Sequence, residues 1–285
     1  MIYTSYEDMS NVIRQNAWKI PADIDIIVGV PRSGMIPALM IAELLNKRCA
    51  DLDSFIEGRE MSCGNRKKFM RFKEIEKVLV VDDTLYNGAA MRKTRNRLAP
   101  LESKYKILYS CVYAEGEHAK EMVDIYLYDI WHPGDKMYLY EWNVLHHYPK
   151  KTEVSMWDVD GLVCKNPPDD RNTEAYEAYL PNAVPIIVPT TKVGAFVTYR
   201  LEKYRGVTEE WLRKQGIEYG QLVMFDAPDR DTRNSTMSPA KYKARIYKEA
   251  TWAQVFYESD AGQAERIFQR TGKPVFCFEN GKMYY

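Results

Sequence analysis

Residues 78–91 read VLVVDDTLYNGAAM. A continuous apolar run rich in valine runs into two adjacent acids, Asp82 and Asp83, and a glycine, Gly88, closes the turn that follows. Such a run suits a strand buried on both faces of a parallel sheet. The segment TLYNG then spells a turn, and GAAMRKTRNRL carries the spacing of a helix. Like charges repel, so two acids side by side at the end of a buried strand are predicted to face a ligand. In open parallel sheets that carboxyl edge is where ligands bind.

Working outward, the first half repeats this alternation. DIDIIVGV reads as a buried strand and GMIPALMIAELLNK as a helix, while YKILYSCVYA and DIYLYDI read as two further strands. Strand, helix, strand at this spacing predicts a parallel sheet with right-handed crossovers. Around YEWNVLHHYPKKTE the pattern breaks into aromatic and polar residues with a proline, which places a boundary near residue 150. The second half starts again with VSMWDVDG, and GAFVTYR, GQLVMFD, AQVFYESD and KPVFCFE follow as short β-rich runs, with GVTEEWLRKQG as a helix. The expectation is α/β with two domains, 1–150 and 151–285, each with acids at the carboxyl ends of its strands.

The chain of 285 residues is long enough for two ordinary cores. Lysine plus arginine and aspartate plus glutamate both total 40, so charge gives no general pull toward nucleic acid or an anionic membrane. Cys49, Cys63, Cys111, Cys164 and Cys277 show no paired metal spacing and read as reduced thiols of a cytoplasmic protein. The opening MIYTSYEDMSNVIRQ lacks the pattern of a signal peptide, and MIPALMIAELL is too short to span a bilayer, so no membrane insertion is expected.

The turn after Asp82 and Asp83 offers backbone N–H groups and the positive end of a helix dipole, which suits a phosphate. The two carboxylates would accept hydrogen bonds from sugar hydroxyls. Together they describe a phosphorylated sugar, with its phosphate on Thr84, Leu85, Tyr86, Asn87 and Gly88. Upstream, GVPRSGMIP repeats the arrangement, and Arg32, Ser33 and Gly34 can hold a second phosphate group such as a diphosphate.

These residues reach a family. VLVVDDTLYNGAA resembles the PRPP-binding motif of type I phosphoribosyltransferases, and VGVPRSGMIPA resembles their pyrophosphate loop, over roughly residues 20–130. Asn87 stands where that phosphate loop usually has threonine, and its amide can still donate to phosphate. The resemblance implies a mobile loop between the second and third strands. EGREMSCGNRKKFMRFK lies there, and Arg59, Ser62, Arg66, Lys67 and Lys68 are its candidates, with a plain solvated surface as the other reading of the cationic run. The implied chemistry is displacement at the anomeric carbon of PRPP, with diphosphate leaving and Mg²⁺ and backbone amides absorbing its charge. MYLYEWNVLHHY reads as packing between domains or, second, as an acceptor pocket; His146 and His147 are assigned nothing.

In the second half, Asp158 and Asp160 stand two residues apart at a strand end, followed by Gly161. In extended backbone such side chains point the same way, and the glycine lets the chain turn out of the sheet. One carboxylate can attack phosphorus while the other protonates the leaving oxygen and then activates water. Such a site needs a hydroxyl, a lysine and a cation. Thr198 ends a strand, Lys243 follows in AKYKARIYKEA with Lys241 and Lys248 as rivals, and Glu258 and Asp260 end another strand.

In this order the residues resemble the haloacid dehalogenase (HAD) phosphatase superfamily over 152–285, with Asp158, Asp160, Glu258 and Asp260 as the metal set for Mg²⁺. ESD in place of a tighter acid pair leaves open which acid touches the metal. The 36 residues between Gly161 and Thr198 leave little room for a cap. VTYRLEKYRGVTEEWLRKQG further resembles a branch with an arginine-rich helix after the hydroxyl motif. The two resemblances together imply a bifunctional enzyme that attaches 5-phosphoribose to an acceptor and then removes the 5-phosphate. Two rivals stand beside it: a PRPP-sensing module fused to a phosphatase, and a polynucleotide-end phosphatase, which the neutral charge disfavours. The acceptor is not named by any motif, and homodimers are common in the first family.

Overall fold

The computed structural model describes residues 1–62, 73–134, 136–146, 149–168 and 173–285, with no side chains described at Pro149 and Lys150. The chain divides into two compact units, Ile2–Trp142 and Asn143–Tyr285, the latter counted with Met1. This break falls inside the aromatic–proline stretch at 140–153, a few residues before the boundary read near 150. Trp142 is tied to Asp83 in the first unit, whereas the carbonyl of Val144 accepts from the Tyr257 hydroxyl in the second.

The first unit runs β1 (Ile2–Thr4), α1 (Tyr6–Asn16), β2 (Ile26–Gly29), α2 (Met35–Leu45), β3 (Arg48–Asp51), α3 (Leu52–Ile56), β4 (Lys77–Leu85), α4 (Ala89–Leu98), β5 (Lys106–Ala114), α5 (Glu117–Glu121), β6 (Ile125–Asp129) and β7 (Tyr138–Tyr140). Five strands form a parallel sheet in the order β3-β2-β4-β5-β6, and β1 pairs with β7 in a separate parallel ribbon. The four runs read as strands from the sequence are β2, β4, β5 and β6; β3 and the β1–β7 ribbon were not read there. The alternation of β4 explains why both its faces are apolar. Leu79 and Val81 enter a core with Met9 and Ile13 of α1 and Ala38 and Ile41 of α2. Val78 and Val80 enter another with Phe55 of α3 and Met91 and Leu98 of α4. Helices therefore cover both faces, as a wound parallel sheet requires. Chain order reverses at β2, whose two neighbours are β3 and β4, so a crevice opens between the carboxyl ends of β2 and β4.

The second unit runs α6 (Pro149–Thr152), β8 (Ser155–Trp157), α7 (Thr173–Tyr179), β9 (Val193–Leu201), α8 (Arg205–Lys214), β10 (Tyr219–Phe225), α9 (Arg230–Thr236), α10 (Pro239–Glu249), β11 (Val255–Glu258), α11 (Ala261–Thr271), β12 (Val275–Cys277) and β13 (Met283–Tyr284). Its sheet has the order β10-β9-β8-β11-β12-β13, parallel except for the β12–β13 pair. The reversal falls between β8 and β11, which places the ends of those two strands at the ligand-binding edge. Between Gly161 and Thr198 the described residues hold one α-helix, α7, and the 3-10 turn Leu180–Asn182 before β9 begins.

Among the described residues, Cys49, Cys111, Cys164 and Cys277 are free and buried. No helix of the described residues is long and apolar enough to cross a membrane.

Candidate functional site

β4 does not stop at the acids. Its pairing with β5 continues through Asp82↔Cys111, Thr84↔Tyr113 and Leu85↔Ala114. The expected phosphate turn at 84–88 is therefore shorter: Thr84 and Leu85 are strand residues, Leu85 is buried, and Tyr86, Asn87 and Gly88 make the turn. Asn87 closes the turn ahead of the Gly88 N-cap, its Oδ1 accepting from the Ala89 N–H at 3.0 Å. Gly88 begins α4 at φ +68°, where a Cβ would also lie 2.0 Å from the Met122 sulfur.

The fold brings the two upstream and downstream segments together. Gly34, the N-cap of α2, has no room for a side chain, since a Cβ there would sit 2.8 Å from the Val81 carbonyl and 2.9 Å from Asp82 Oδ1. The loop holding Arg32 and Ser33 thus passes directly over the acids; its Pro31–Arg32 peptide is cis. Asp82 and Asp83 are nearly buried, at 7% and 6% exposure. Asp82 Oδ1 accepts from the Asp83 N–H at 3.0 Å, and Asp83 Oδ2 accepts from the Trp142 indole at 2.6 Å. Burial, then the charge of Asp83, pushes Asp82 well above the usual carboxylate range. Burial also raises Asp83, with the Trp142 N–H acting in the opposite sense. Among the described residues neither acid has an ion-pair partner, and burial favours their protonated forms.

Trp142 was not singled out from sequence as a site residue. It stacks on Tyr140 (5.0 Å between centroids, 27°) and lies nearly parallel to Tyr113 (6.3 Å, 15°), so the MYLYEW segment packs over Asp83 within the first unit. Of the loop candidates, Arg59 pairs with Glu57 and its side chain is 66% exposed, and Ser62 lies outside any helix or strand. Lys67, with Arg66 and Lys68, lies outside the described residues, as do Cys63 and His147.

In the second unit one cavity of about 560 Å³ is lined by Asp158, Asp160, Gly161, Thr198, Lys243, Ser259 and Asp260, whereas Glu258 is fully buried and does not line it. Asp158 continues β8, its N–H donating to the Tyr257 carbonyl at 2.9 Å. Lys243 lies on the inner face of α10 at 2% exposure, while Lys241 and Lys248 are on its exposed face. Its ammonium contacts Asp158 Oδ2 and Glu258 Oε2, both at 2.8 Å. Burial opposes the lysine charge, and Asp158 and Glu258 outweigh it, raising Lys243 above the ordinary lysine range. Burial and then Glu258 push the Asp158 carboxyl upward, and Lys243 counters them. Thr198, fully buried, accepts the Arg200 N–H at 3.2 Å through its hydroxyl.

The four acids expected as a metal set take separate roles. Asp160 forms a bidentate pair with Arg200, Nε to Oδ2 at 2.9 Å and Nη2 to Oδ1 at 2.6 Å. Asp260 caps α11, accepting from the Gln263 N–H at 2.7 Å. Among the described residues no three His, Cys, Asp or Glu side chains gather as a metal cluster. Three oxygens nevertheless converge on the Ser259 hydroxyl: the Asp160 carbonyl at 3.0 Å and Asp158 Oδ2 and Glu258 Oε1 at 3.2 Å. A hydroxyl has one proton to give, so acceptors outnumber donors here; oxygens are the donor type Mg²⁺ takes, and the Ser259 hydroxyl stands at their meeting point. Gly161, at φ +83°, lets the chain pack against it, because a Cβ would stand 2.7 Å from that hydroxyl.

Arg200 and Ser259 were both missed from sequence. Arg200 stands two residues after Thr198 and is 1% exposed, a burial that a charged residue alone does not announce. Ser259 sits between Glu258 and Asp260, and only the fold shows which oxygens meet it.

No family model matches the chain, and no curated protein matches it. Solved structures do. A Helicobacter pylori xanthine-guanine-hypoxanthine phosphoribosyltransferase is 18% identical, over 50% of this chain and 92% of that one, with a TM-score of 0.34. A purine phosphoribosyltransferase from Pyrococcus horikoshii is 20% identical over 50% and 93%, with a TM-score of 0.36. A hypothetical protein from Neisseria gonorrhoeae with bound ppGpp is 19% identical over 50% and 89%, with a TM-score of 0.36.

Proposed function

We propose that the chain is a two-step enzyme. Its first unit transfers 5-phosphoribose from PRPP to an acceptor with release of diphosphate, and its second unit hydrolyses the 5-phosphate to leave a riboside. One observation carries the reading. Each unit has buried acids at the switch point of its own parallel sheet, the first beneath two turn-to-helix loops and the second around a buried lysine.

In the first step Asp82 and Asp83 accept the ribose hydroxyls. The turn at Tyr86–Gly88 binds the 5-phosphate, and Arg32, Ser33 and the backbone before α2 bind the diphosphate. The bond from the anomeric carbon to diphosphate breaks as the acceptor's nucleophilic atom bonds to that carbon. The protein's part is to hold the two in line and exclude water. Aligned backbone amides spread the charge that develops on the leaving group.

In the second step an Asp158 carboxylate oxygen attacks phosphorus and the P–O5′ bond breaks. Asp160, paired through both oxygens with Arg200 in the resting site, would take up a proton as it leaves that pairing on substrate entry, give it to the departing oxygen, and then take one from the water that hydrolyses the aspartyl phosphate. Arg200 fixes the orientation of Asp160, and Lys243 and Thr198 hold phosphoryl oxygens. Asp158, Glu258 and the Asp160 carbonyl would hold Mg²⁺, which when bound offsets the repulsion between the nucleophile and the phosphate dianion.

Asp158→Asn tests the order of steps. The substitution leaves the first unit untouched, so with PRPP and the true acceptor the variant should release diphosphate and accumulate a 5-phosphorylated riboside. Mass spectrometry separates that product from the riboside by one phosphate group. A variant that makes no phosphorylated riboside, while the intact chain makes riboside, rules the scheme out. No diphosphate from either protein points to a sensing module.

A further inference from the structure

The Lys243 ammonium has three protons, and three acceptors already meet it. Asp158 Oδ2 and Glu258 Oε2 each lie 2.8 Å away, and the side-chain oxygen of Gln263, Oε1, lies at 3.2 Å. An ammonium carries three donors and no acceptor, so this set is complete. Both carboxylates are held from their other side as well. Asp158 Oδ1 accepts from the Val159 N–H at 2.8 Å, and Glu258 Oε1 from the Ser259 N–H at 2.9 Å. A phosphoryl oxygen that enters the cavity at Asp158 therefore finds no spare proton on the lysine.

Gln263 has protons to give. It is the third residue of α11, and its backbone N–H donates to Asp260 Oδ1 at 2.7 Å, which fixes the first turn of that helix. The side chain is half-buried and lines the same cavity as Asp158, Thr198 and Lys243. Because the ammonium offers only donors, the amide must turn its oxygen to Lys243, and its nitrogen, Nε2, then faces away from it. Among the described residues Nε2 has no hydrogen-bond partner; the bonds of Gln263 are those to Lys243 and Asp260. An amide whose oxygen is bound by a cation is a stronger donor at its nitrogen, since hydrogen bonds in a chain polarise one another.

The charges around the cavity favour such a neutral donor. Its described lining includes the acids Asp158, Asp160, Asp260 and Glu279, with Lys243 as the cation. Asp160 is paired with Arg200, and Asp260 and Glu279 accept the backbone N–H groups of Gln263 and Ala261. We infer that Gln263 is a phosphoryl-binding residue: its amide N–H donates to a phosphoryl oxygen while its Oε1 stays on Lys243, so that the lysine's hold on the phosphate runs through this amide. This rests on the proposed phosphatase reading and adds to it a residue in contact with the substrate. Gln263 gives up no proton and forms no covalent bond.

The test uses the full chain with Mg²⁺, p-nitrophenyl phosphate as substrate and inorganic phosphate as competing ligand. Gln263→Glu keeps an acceptor for Lys243 and makes it a charged one, but puts an oxygen where the N–H stood. Its melting temperature should be no lower than that of the intact chain. Its kcat/KM should nevertheless fall about tenfold or more, the size of a lost hydrogen bond to a charged group. Inhibition by inorganic phosphate should weaken in step. Gln263→Met fills a similar volume without donor or acceptor, and should also lose about tenfold in both readouts. A Gln263→Glu variant that hydrolyses the ester as fast as the intact chain overturns the inference and leaves the phosphatase reading in place. A Gln263→Met variant that binds phosphate as tightly or more tightly also overturns it, since the amide would then only cover the ammonium. If the intact chain releases no phosphate, the phosphatase reading and this inference fall together.

Discussion

Asp82 with Asp83 and Asp158 with Glu258 are two answers to one electrostatic problem. Both pairs are buried at a sheet's switch point, where unpaired charge is costly. The second pair brings its own counter-ion, since Lys243 touches both carboxylates at 2.8 Å. The first has the Trp142 indole, a backbone N–H and, among the described residues, no cation. One site is neutralised by a lysine of its own unit; in the other, burial shifts the acids toward their protonated forms. The difference matches the two proposed chemistries. A nucleophilic carboxylate needs a permanent cation to meet a phosphate dianion, whereas acids that grip sugar hydroxyls need to be strong acceptors.

The comparison breaks most visibly at Lys243. Lys243→Met should cost about 3–5 kcal/mol of unfolding free energy, because it strands two buried carboxylates. Urea denaturation at neutral pH measures it. A loss below about 1 kcal/mol would mean that the carboxylates are not held charged by the lysine.

The opposite result is expected in the first unit. Burial raises both Asp82 and Asp83 above the value an unfolded chain would have. For an acid shifted upward, the folded state keeps its proton where the unfolded state has lost it. Stability is therefore whole below the unfolded pKa and declines as pH rises through the folded one. Asp82→Asn with Asp83→Asn should thus raise the melting temperature at pH 7–8 by about 3–6 °C, with the gain shrinking toward pH 4. The same variant should bind PRPP more weakly by about 1.5–3 kcal/mol for each lost charged acceptor. Calorimetry with PRPP and scanning calorimetry across pH read the two halves. A variant that is destabilised at pH 8 contradicts the idea of stored charge, and unchanged PRPP affinity removes the assignment of the site.

The smallest effect belongs to Trp142. Trp142→Phe keeps a ring against Tyr140 and Tyr113 but removes the indole donor to Asp83, and should cost about 1 kcal/mol in a denaturation series. Restoring the loss by pairing it with Asp83→Asn would show that the hydrogen bond is the cause. A loss several times larger would instead mean that the stack itself carries the stability.

The legibility of these sites followed local pattern. Asp82 and Asp83 stand out because a valine-rich run leads into them, and the Asp158–Asp160–Gly161 spacing stands out because extended backbone and a glycine turn are periodic features. Lys243 could be chosen over Lys241 and Lys248 by pattern, and the helix face of α10 then placed it inward with Ala240, Ala244 and Tyr247. The length of β4 misled the reading of the phosphate turn, since hydrogen bonds to β5 carry the strand through Thr84 and Leu85 beyond the acids. Strand ends depend on what the neighbouring strand offers, and no local propensity encodes that.

By itself, the sequence determined the α/β alternation, the buried strands and the acids at their carboxyl edges, because each of these is written in spacing over a few residues. Partnership was decided only by the tertiary structure. Arg200 and Asp160 are 40 residues apart and form a two-bond pair. Trp142 reaches Asp83 across 59 residues, and Ser259 meets Asp158 across 101. A side chain's charge state and its role depend on the donors and the water around it, and those are set when distant segments pack, not by the residues beside it in the chain.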